Sequence, residues 1–108
     1  MSKKPIAEIT SLDQLFSITK EKISTKEKNS YTYELAKGGV EKITRKVGEE
    51  AVEVVIAAFL NDKNNSKKTR SDLIGEVCDL YYHSLVLLAQ QKIEFSEIIK
   101  ELNKRNKK

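Results

Sequence analysis

Hydrophobic positions recur at helical spacing along most of this chain, and they predict two long helices. The first is predicted from Val40 to about Asn61, and the second from near 69–72 to about Gln91. Apolar side chains occupy nearly every side of both segments, which is typical of buried helices. The turn-rich segment 61–68 joins the two helices, so we expect them to form an antiparallel hairpin.

Shorter elements are predicted before the hairpin. Ser11 and Gln14 have the spacing of a capping box, which predicts a helix over about 12–23. A short helical turn is predicted to begin near Ser30 and to stop at the pair Gly38-Gly39, because glycine ends helices or allows an unusual backbone turn.

After the hairpin, Ser96 is predicted to cap a last short helix with Ile98, Ile99 and Leu102 inward. Segments 1–10 and 103–108 are expected to be mobile tails of a single all-α domain over 1–108. Two helices that are apolar all round need more cover than short flanking helices provide. We therefore expect homodimerisation to complete the antiparallel hairpin and its flanking helices into a four-helix-type bundle.

Carboxylates lie on both long helices at helical spacing. Glu49, Glu50 and Glu53 are within one turn on the first, and Glu76 and Asp79 are one turn apart on the second. In apolar surroundings they are expected to face a largely covered groove, where several unpaired charges are costly. A divalent cation would offset that cost. Ligation by carboxylates alone suits Mg²⁺, Mn²⁺ or Ca²⁺ and argues against zinc or copper.

Composition narrows the function classes. The formal net charge is +4, with much of the excess at the two ends, and aromatic residues make up 6% with no Trp. Single-strand binders use aromatic stacking platforms, so we expect no nucleic-acid partner. No segment has the ~20 apolar residues of a membrane span, and no secretion signal is evident at the start, so a cytoplasmic protein is expected. The single cysteine, Cys78, is predicted to be a small buried core residue.

Hydroxyl groups cluster before the glycine pair. Ser30, Tyr31, Thr32 and Tyr33 could contact phosphate or ribose, or they could cap and pack the short helical turn. The sequence alone leaves both interpretations open.

Two further polar residues lie near the acids. Lys46 could form an i,i+4 ion pair with Glu50 or contact a substrate phosphate. His83, four residues after Asp79, could orient that carboxylate, contact substrate, or be an ordinary half-buried histidine.

Two glycines lie inside the long helices. Gly48 and Gly75 each cost about 1 kcal/mol relative to alanine at an interior position. Close approach of another backbone or of a ligand would explain Gly48, and Gly75 is left unexplained.

Four segments carry a family resemblance: Ser30-Tyr31-Thr32, Gly38-Gly39, the run Lys46-Val47-Gly48-Glu49-Glu50-Ala51-Val52-Glu53, and the run Glu76-Val77-Cys78-Asp79-Leu80-Tyr81-Tyr82-His83. From about Leu12 to Leu102 the chain resembles phosphoribosyl-ATP pyrophosphohydrolases. These enzymes belong to the all-α nucleotide pyrophosphohydrolases of MazG type. The acidic pattern marks the wider group, and the other segments indicate the histidine-biosynthesis branch.

The resemblance implies hydrolysis of phosphoribosyl-ATP between its α and β phosphates, the second step of histidine biosynthesis. It implies that Mg²⁺ is held by five acids, namely Glu49, Glu50, Glu53, Glu76 and Asp79. One of the first three would orient or deprotonate the attacking water, with Glu49 or Glu50 favoured. The candidate substrate-binding residues are Lys46, Ser30, Tyr31, Thr32 and His83.

Three other functions are compatible with parts of this pattern. Another MazG-type enzyme that removes dUTP, dCTP or aberrant nucleotides would share the acidic site and differ in its base pocket. A non-catalytic helical dimer would use the acids to bind metal or a basic partner structurally. A ferritin-like oxidase is the weakest of the three, because such sites use Glu-x-x-His where this chain has Glu-x-x-Asp.

Overall fold

The computed structural model describes residues 8–26 and 30–107, which contain five helices and no strand. In chain order they are α1 (Leu12–Ser24), α2 (Tyr31–Lys37), α3 (Gly39–Asn64), α4 (Lys67–Gln90) and α5 (Phe95–Asn106). The all-α prediction is confirmed. Most of the predicted N-terminal tail, residues 1–7, lies outside the described residues.

The long helices α3 and α4 form the predicted hairpin and make the most extensive contact of the fold. Only Asn65 and Ser66 connect them, so the predicted loop over 61–68 is wrong. Asn65 adopts a left-handed conformation with φ 44°, which asparagine tolerates better than most residues. Ser66 caps α4 by accepting a hydrogen bond from the Thr69 backbone N–H. These two residues allow each helix to extend almost to the turn.

The buried core lies where α2 meets the hairpin. Leu35 of α2, Ile43 of α3 and Val86 of α4 are almost fully buried against one another, with Leu87 and Tyr82 packed around them. Full burial of one such aliphatic side chain contributes about 1.5–3 kcal/mol. The core therefore fixes α2 against both long helices.

Glycine provides the sharp change of direction between α2 and α3. Gly39 has φ 84°, a left-handed conformation that side chains with a Cβ rarely adopt. The predicted turn at Gly38-Gly39 is confirmed. Ser30 caps the other end of α2, since its hydroxyl accepts from the Tyr33 backbone N–H at 3.2 Å.

The last helix differs from its prediction in three ways. Its cap is Glu94, whose backbone N–H donates to the Glu97 carboxylate at 2.8 Å, and not Ser96. It continues to Asn106, so residues 103–106, assigned above to a tail, form its last turn. None of its residues is buried, and the expected inward packing is wrong for Ile99 and Leu102, which are 42% and 55% exposed, whereas Ile98 is half-buried.

α5 is attached to the fold through its first residues. The Phe95 ring packs on Phe16 of α1, and Lys20 forms an ion pair with Glu94 at 2.7 Å. Residues further along the helix have no comparable partner on α1 in the described structure, which explains why the apolar side of α5 stays accessible.

One side of each long helix is uncovered. The exposed large apolar residues are Val40, Val52, Val55, Ile56, Phe59 and Leu60 of α3, and Ile74 and Tyr81 of α4. Cys78 is also exposed, so its prediction as a core residue is wrong. Within the described chain each long helix buries only the side that packs on its partner helix, α1 or α2. No helix among the described residues is long and apolar enough to cross a membrane.

Candidate functional site

The hairpin brings three carboxylates together across α3 and α4. One oxygen each from Glu50, Glu76 and Asp79 lies within 4.8 Å of the others. Glu50 is 8% exposed, Glu76 is half-buried and Asp79 is exposed. Because α3 and α4 run antiparallel, one turn of α4 faces Glu50. The predicted convergence of acids from both helices is therefore present for these three residues.

Glu53 joins this cluster from the next turn of α3. Its carboxyl group is close enough to those of Glu50 and Glu76 to raise the pKa of both, although Glu53 itself is exposed. We call Glu50, Glu53, Glu76 and Asp79 the acidic cluster.

The acidic cluster raises the pKa of two of its members. The hydrogen bond with Glu53, followed by partial burial and the neighbouring negative charges, raises the pKa of Glu76 to about 7. Burial is the largest cause that raises the pKa of Glu50, and the contact with Glu53 adds to it. Both shifts express the same physical cost, which is negative charge held close together with little water.

Glu49 lies apart from the acidic cluster. Its carboxylate forms an ion pair with Lys46 at 3.5 Å, and both side chains are about half exposed. The Lys46–Glu50 pair considered from the sequence is not among the ion pairs of the described residues, since Lys46 bonds to Glu49. Exposed pairs on a helix contribute about 0.3–0.5 kcal/mol, so this pair can open easily. Ligation of a metal by Glu49 stays a prediction.

Two buried oxygens of the acidic cluster have no hydrogen-bond donor. They are Oε2 of Glu50 and Oε2 of Glu76, one on each long helix. A carboxylate oxygen that is shielded from water and has no donor is unfavourable, because it has lost its water partners without replacement. A cation would supply the missing partner to both helices at once. With oxygen donors alone, the acidic cluster is a possible metal-binding site for a hard divalent ion.

His83 lies beside the acidic cluster and is held from two sides. Its Nδ1 is 2.8 Å from the backbone carbonyl oxygen of Asp79, and its Nε2 is 3.0 Å from the hydroxyl of Tyr31. Nδ1 is also 4.0 Å from Oε1 of Glu50. The histidine is therefore linked to Asp79 through the backbone and not through the carboxylate that the sequence analysis considered.

Ser30 and Thr32, which were also predicted as substrate-binding residues, have structural roles in the described residues. Ser30 caps α2, and Thr32, which is almost fully buried, hydrogen-bonds to the hydroxyl of Tyr82. Their contact with a substrate stays a prediction. Sequence reasoning missed Tyr82, whose ring also stacks on that of Tyr31. The signal for it was its place in the segment Tyr81-Tyr82-His83, directly before the histidine.

The chain was compared with known proteins. The family model for phosphoribosyl-ATP pyrophosphohydrolase matches residues 12–106, a range that includes the whole acidic cluster. The chain belongs to the phosphoribosyl-ATP pyrophosphohydrolase family. The resemblance stated from the sequence is thus confirmed.

Relatives agree with this membership in the phosphoribosyl-ATP pyrophosphohydrolase family. The phosphoribosyl-ATP pyrophosphatase of Clostridium novyi is 41% identical over 90% of this chain and 82% of its own length. That of Sulfurisphaera tokodaii is 41% identical over 89% of this chain and 95% of its own length. The histidine biosynthesis bifunctional protein HisIE of Oceanobacillus iheyensis is 42% identical over 96% of this chain and 45% of its own length.

The raised pKa of Glu76 predicts how stability depends on pH in the cation-free protein. Its value is about 7 in the folded state against an ordinary 4.5. The folded state therefore holds a proton that the unfolded state has lost between these values. We expect the free energy of unfolding to fall as pH rises from 5 to 8. Urea unfolding at several pH values, in the presence of a chelator, measures this change in the free energy of unfolding.

Glu76→Gln is the control, because an amide cannot titrate. Its midpoint should change less between pH 5 and pH 8 than that of the unmodified protein. A midpoint that rises over this range by the same amount in both proteins would show that the carboxyls do not crowd one another.

Proposed function

We propose that this protein hydrolyses phosphoribosyl-ATP between its α and β phosphates, which gives phosphoribosyl-AMP and pyrophosphate in the second step of histidine biosynthesis. Membership in the phosphoribosyl-ATP pyrophosphohydrolase family supports this activity. The observation in the structure that carries the proposal is the acidic cluster with its two donorless buried oxygens. We also propose a cytoplasmic location, since a polyanionic nucleotide does not cross a bilayer unaided.

We propose that Glu50, Glu76 and Asp79 hold Mg²⁺, which Mn²⁺ could replace. These three residues supply oxygens from both long helices, and two of the residues have an oxygen with no other partner. A bound Mg²⁺ would neutralise phosphate charge and make a water molecule easier to deprotonate. The nucleotide would approach from the solvent side, where Asp79 and Glu53 are exposed.

Within the acidic cluster, we propose Glu53 as the group that orients and deprotonates the attacking water. It is exposed to the substrate side, and it contacts both Glu50 and Glu76. The water oxygen forms a bond to phosphorus, the anhydride P–O bond breaks, and pyrophosphate leaves with the bonding electrons. The proton of the water passes to the carboxylate. Glu49, favoured above as a base, is occupied by Lys46 in this conformation.

We propose that Lys46 binds a phosphate of the substrate. Its ammonium group is on α3, one turn before Glu50, and it is only partly exposed. Its ion pair with Glu49 is weak because both side chains are partly exposed. A substrate phosphate, which carries more negative charge, would displace Glu49 from Lys46. Positive charge beside the acidic cluster would also attract a polyanionic nucleotide.

Substrate choice tests the proposal. Phosphoribosyl-ATP, dUTP and dCTP are offered separately with Mg²⁺, and the release of pyrophosphate is measured. We expect the highest kcat/KM with phosphoribosyl-ATP. A preference for a deoxynucleotide would favour a house-cleaning pyrophosphatase, and no release from any nucleotide with Mg²⁺ bound would favour a structural metal site.

The same assay tests the acidic cluster through Glu53→Gln. We expect kcat to fall by at least about 100-fold, because the amide cannot accept the proton of the water. Glu101→Gln, which removes an exposed carboxylate on α5, is the matched control and should leave kcat unchanged. Circular dichroism verifies that both variants are folded. Near-normal turnover in Glu53→Gln would remove this residue from the site.

We further propose that two copies pair through the uncovered apolar sides of α3 and α4. Val52, Val55 and Phe59 recur at spacings of three and four on α3, as Ile74, Cys78 and Tyr81 do on α4. This spacing is that of the apolar seam between helices in bundles. A second copy offers the same unpaired seams and would complete a four-helix bundle.

The interior glycines support a second copy as the occupant. A Cβ atom placed on Gly48 or Gly75 would meet no atom within 4 Å inside the described chain. Packing within the described residues therefore does not explain why glycine occupies these two positions, where it costs about 1 kcal/mol relative to alanine. Close approach of a helix from another copy would explain both glycines, as the sequence analysis considered for Gly48.

Sedimentation velocity tests the pairing. The unmodified protein is expected to sediment as two copies at micromolar concentration. Phe59→Asp, at a residue 74% exposed, should sediment as one copy because a charge cannot be buried in the seam. Leu102→Asp, at a comparably exposed apolar residue on α5, is the control and should stay paired. An unmodified protein that sediments as a single copy would contradict this pairing.

A further inference from the structure

A polar chain runs from α2 to the acidic cluster through one histidine. The Tyr31 hydroxyl, at the start of α2, is 3.0 Å from Nε2 of His83, and Nδ1 of His83 is 2.8 Å from the carbonyl oxygen of Asp79. The histidine is 6% exposed, and the rings of Tyr31 and Tyr82 meet it edge-on. The histidine is thus buried and contacted on several sides, whereas Tyr31 itself is half-exposed.

The partners of His83 determine which nitrogen carries its hydrogen. A backbone carbonyl oxygen can only accept, so Nδ1 of His83 must donate to Asp79. In the neutral ring Nε2 is then an acceptor, and the Tyr31 hydroxyl donates to it. Both nitrogens of the ring are satisfied, and the tautomer and the orientation of the ring are fixed together.

This orientation keeps the histidine from bonding to the nearest carboxylate. Nδ1 of His83 is 4.0 Å from Oε1 of Glu50, which is longer than a hydrogen bond. Oε2 of Glu50 is buried without any donor. The N–H group of His83 that lies near this carboxylate thus donates to the helix backbone instead. Glu50 is left free to accept from another group.

We propose that Tyr31 is a positioning residue that acts through His83 to keep Glu50 available to the cation. This inference rests on the proposed function, because it assumes that a divalent cation binds the acidic cluster. Without the Tyr31 hydroxyl, Nε2 of His83 has no partner. The ring can then change its tautomer or rotate, and an N–H can donate to Glu50. That hydrogen bond competes with the cation for the carboxylate.

The chain offers a matched control for the loss of one hydroxyl. The Tyr82 hydroxyl also joins α4 to α2, through Thr32, but among the described residues it makes no hydrogen bond to a carboxylate or to His83. Tyr31→Phe and Tyr82→Phe therefore each remove one hydrogen bond between the same two helices. A role that is only structural predicts similar effects of both. A role through His83 predicts an effect on cation binding from Tyr31→Phe alone.

Isothermal titration calorimetry with Mg²⁺ on the full chain, without nucleotide, measures the effect. We expect Tyr31→Phe to weaken Mg²⁺ binding by about 10-fold, the size typical of lost support around a metal site. Tyr82→Phe should bind Mg²⁺ as the unmodified protein does. At saturating Mg²⁺, Tyr31→Phe should recover most of its kcat, because excess cation displaces the competing hydrogen bond.

A double variant tests the route through the histidine. Tyr31→Phe combined with His83→Leu removes the competing N–H group, so its Mg²⁺ affinity should return toward that of the unmodified protein. Equal losses in Tyr31→Phe and Tyr82→Phe, or no recovery in the double variant, would overturn this inference. If Tyr31→Phe binds Mg²⁺ normally, only this inference fails. If the unmodified protein binds no Mg²⁺, the proposed function fails as well.

Discussion

The main physical constraint on this structure is the repulsion among the carboxylates that α3 and α4 hold close together. Glu50, Glu76 and Asp79 face one another across the hairpin, with Glu53 in contact beside them. Such an arrangement is unfavourable unless a proton or a cation offsets the negative charge, and the crowding accordingly raises the pKa of Glu76. The acidic cluster is therefore a possible binding site for a hard divalent cation. Proton and cation compete for the same oxygens.

The rest of the fold determines where these carboxylates meet. The two-residue turn at Asn65 and Ser66 fixes the register of α4 on α3. Leu35, Ile43 and Val86 then hold α2 against the hairpin close to His83. Packing energy from this core opposes the charge repulsion nearby. The short helix α2 thus connects the hydrophobic core with the polar surroundings of the acidic cluster.

Much of this could be predicted from the sequence, because periodicity and acidic spacing are local signals. Helical spacing identified both long helices, and the spacing of Glu50 with Glu76 and Asp79 identified carboxylates that converge across a hairpin. The family motifs added the chemistry. The glycine turn at Gly39 was also visible, because glycine is the residue that adopts its conformation without strain.

The errors arose where the outcome depends on neighbours that a sequence does not show. Cys78 lies on a helix that is apolar all round, and only the packing partners determine which side is covered. Glu49 forms an ion pair with Lys46 that helical spacing alone did not single out, and ligation of a metal by Glu49 stays a prediction. The roles of Tyr82 and of the Asp79 carbonyl depend on contacts between distant segments. Periodicity along one helix carries no information about such contacts.

Anomalous diffraction from crystals soaked in Mn²⁺ tests the central claim most directly, since Mn²⁺ accepts the same oxygen ligands as Mg²⁺. A single strong peak is expected between α3 and α4, in contact with carboxylate oxygens of Glu50, Glu76 and Asp79. A peak at Glu49 alone, or carboxylates that are separated and hydrated with no ion between them, would contradict the account.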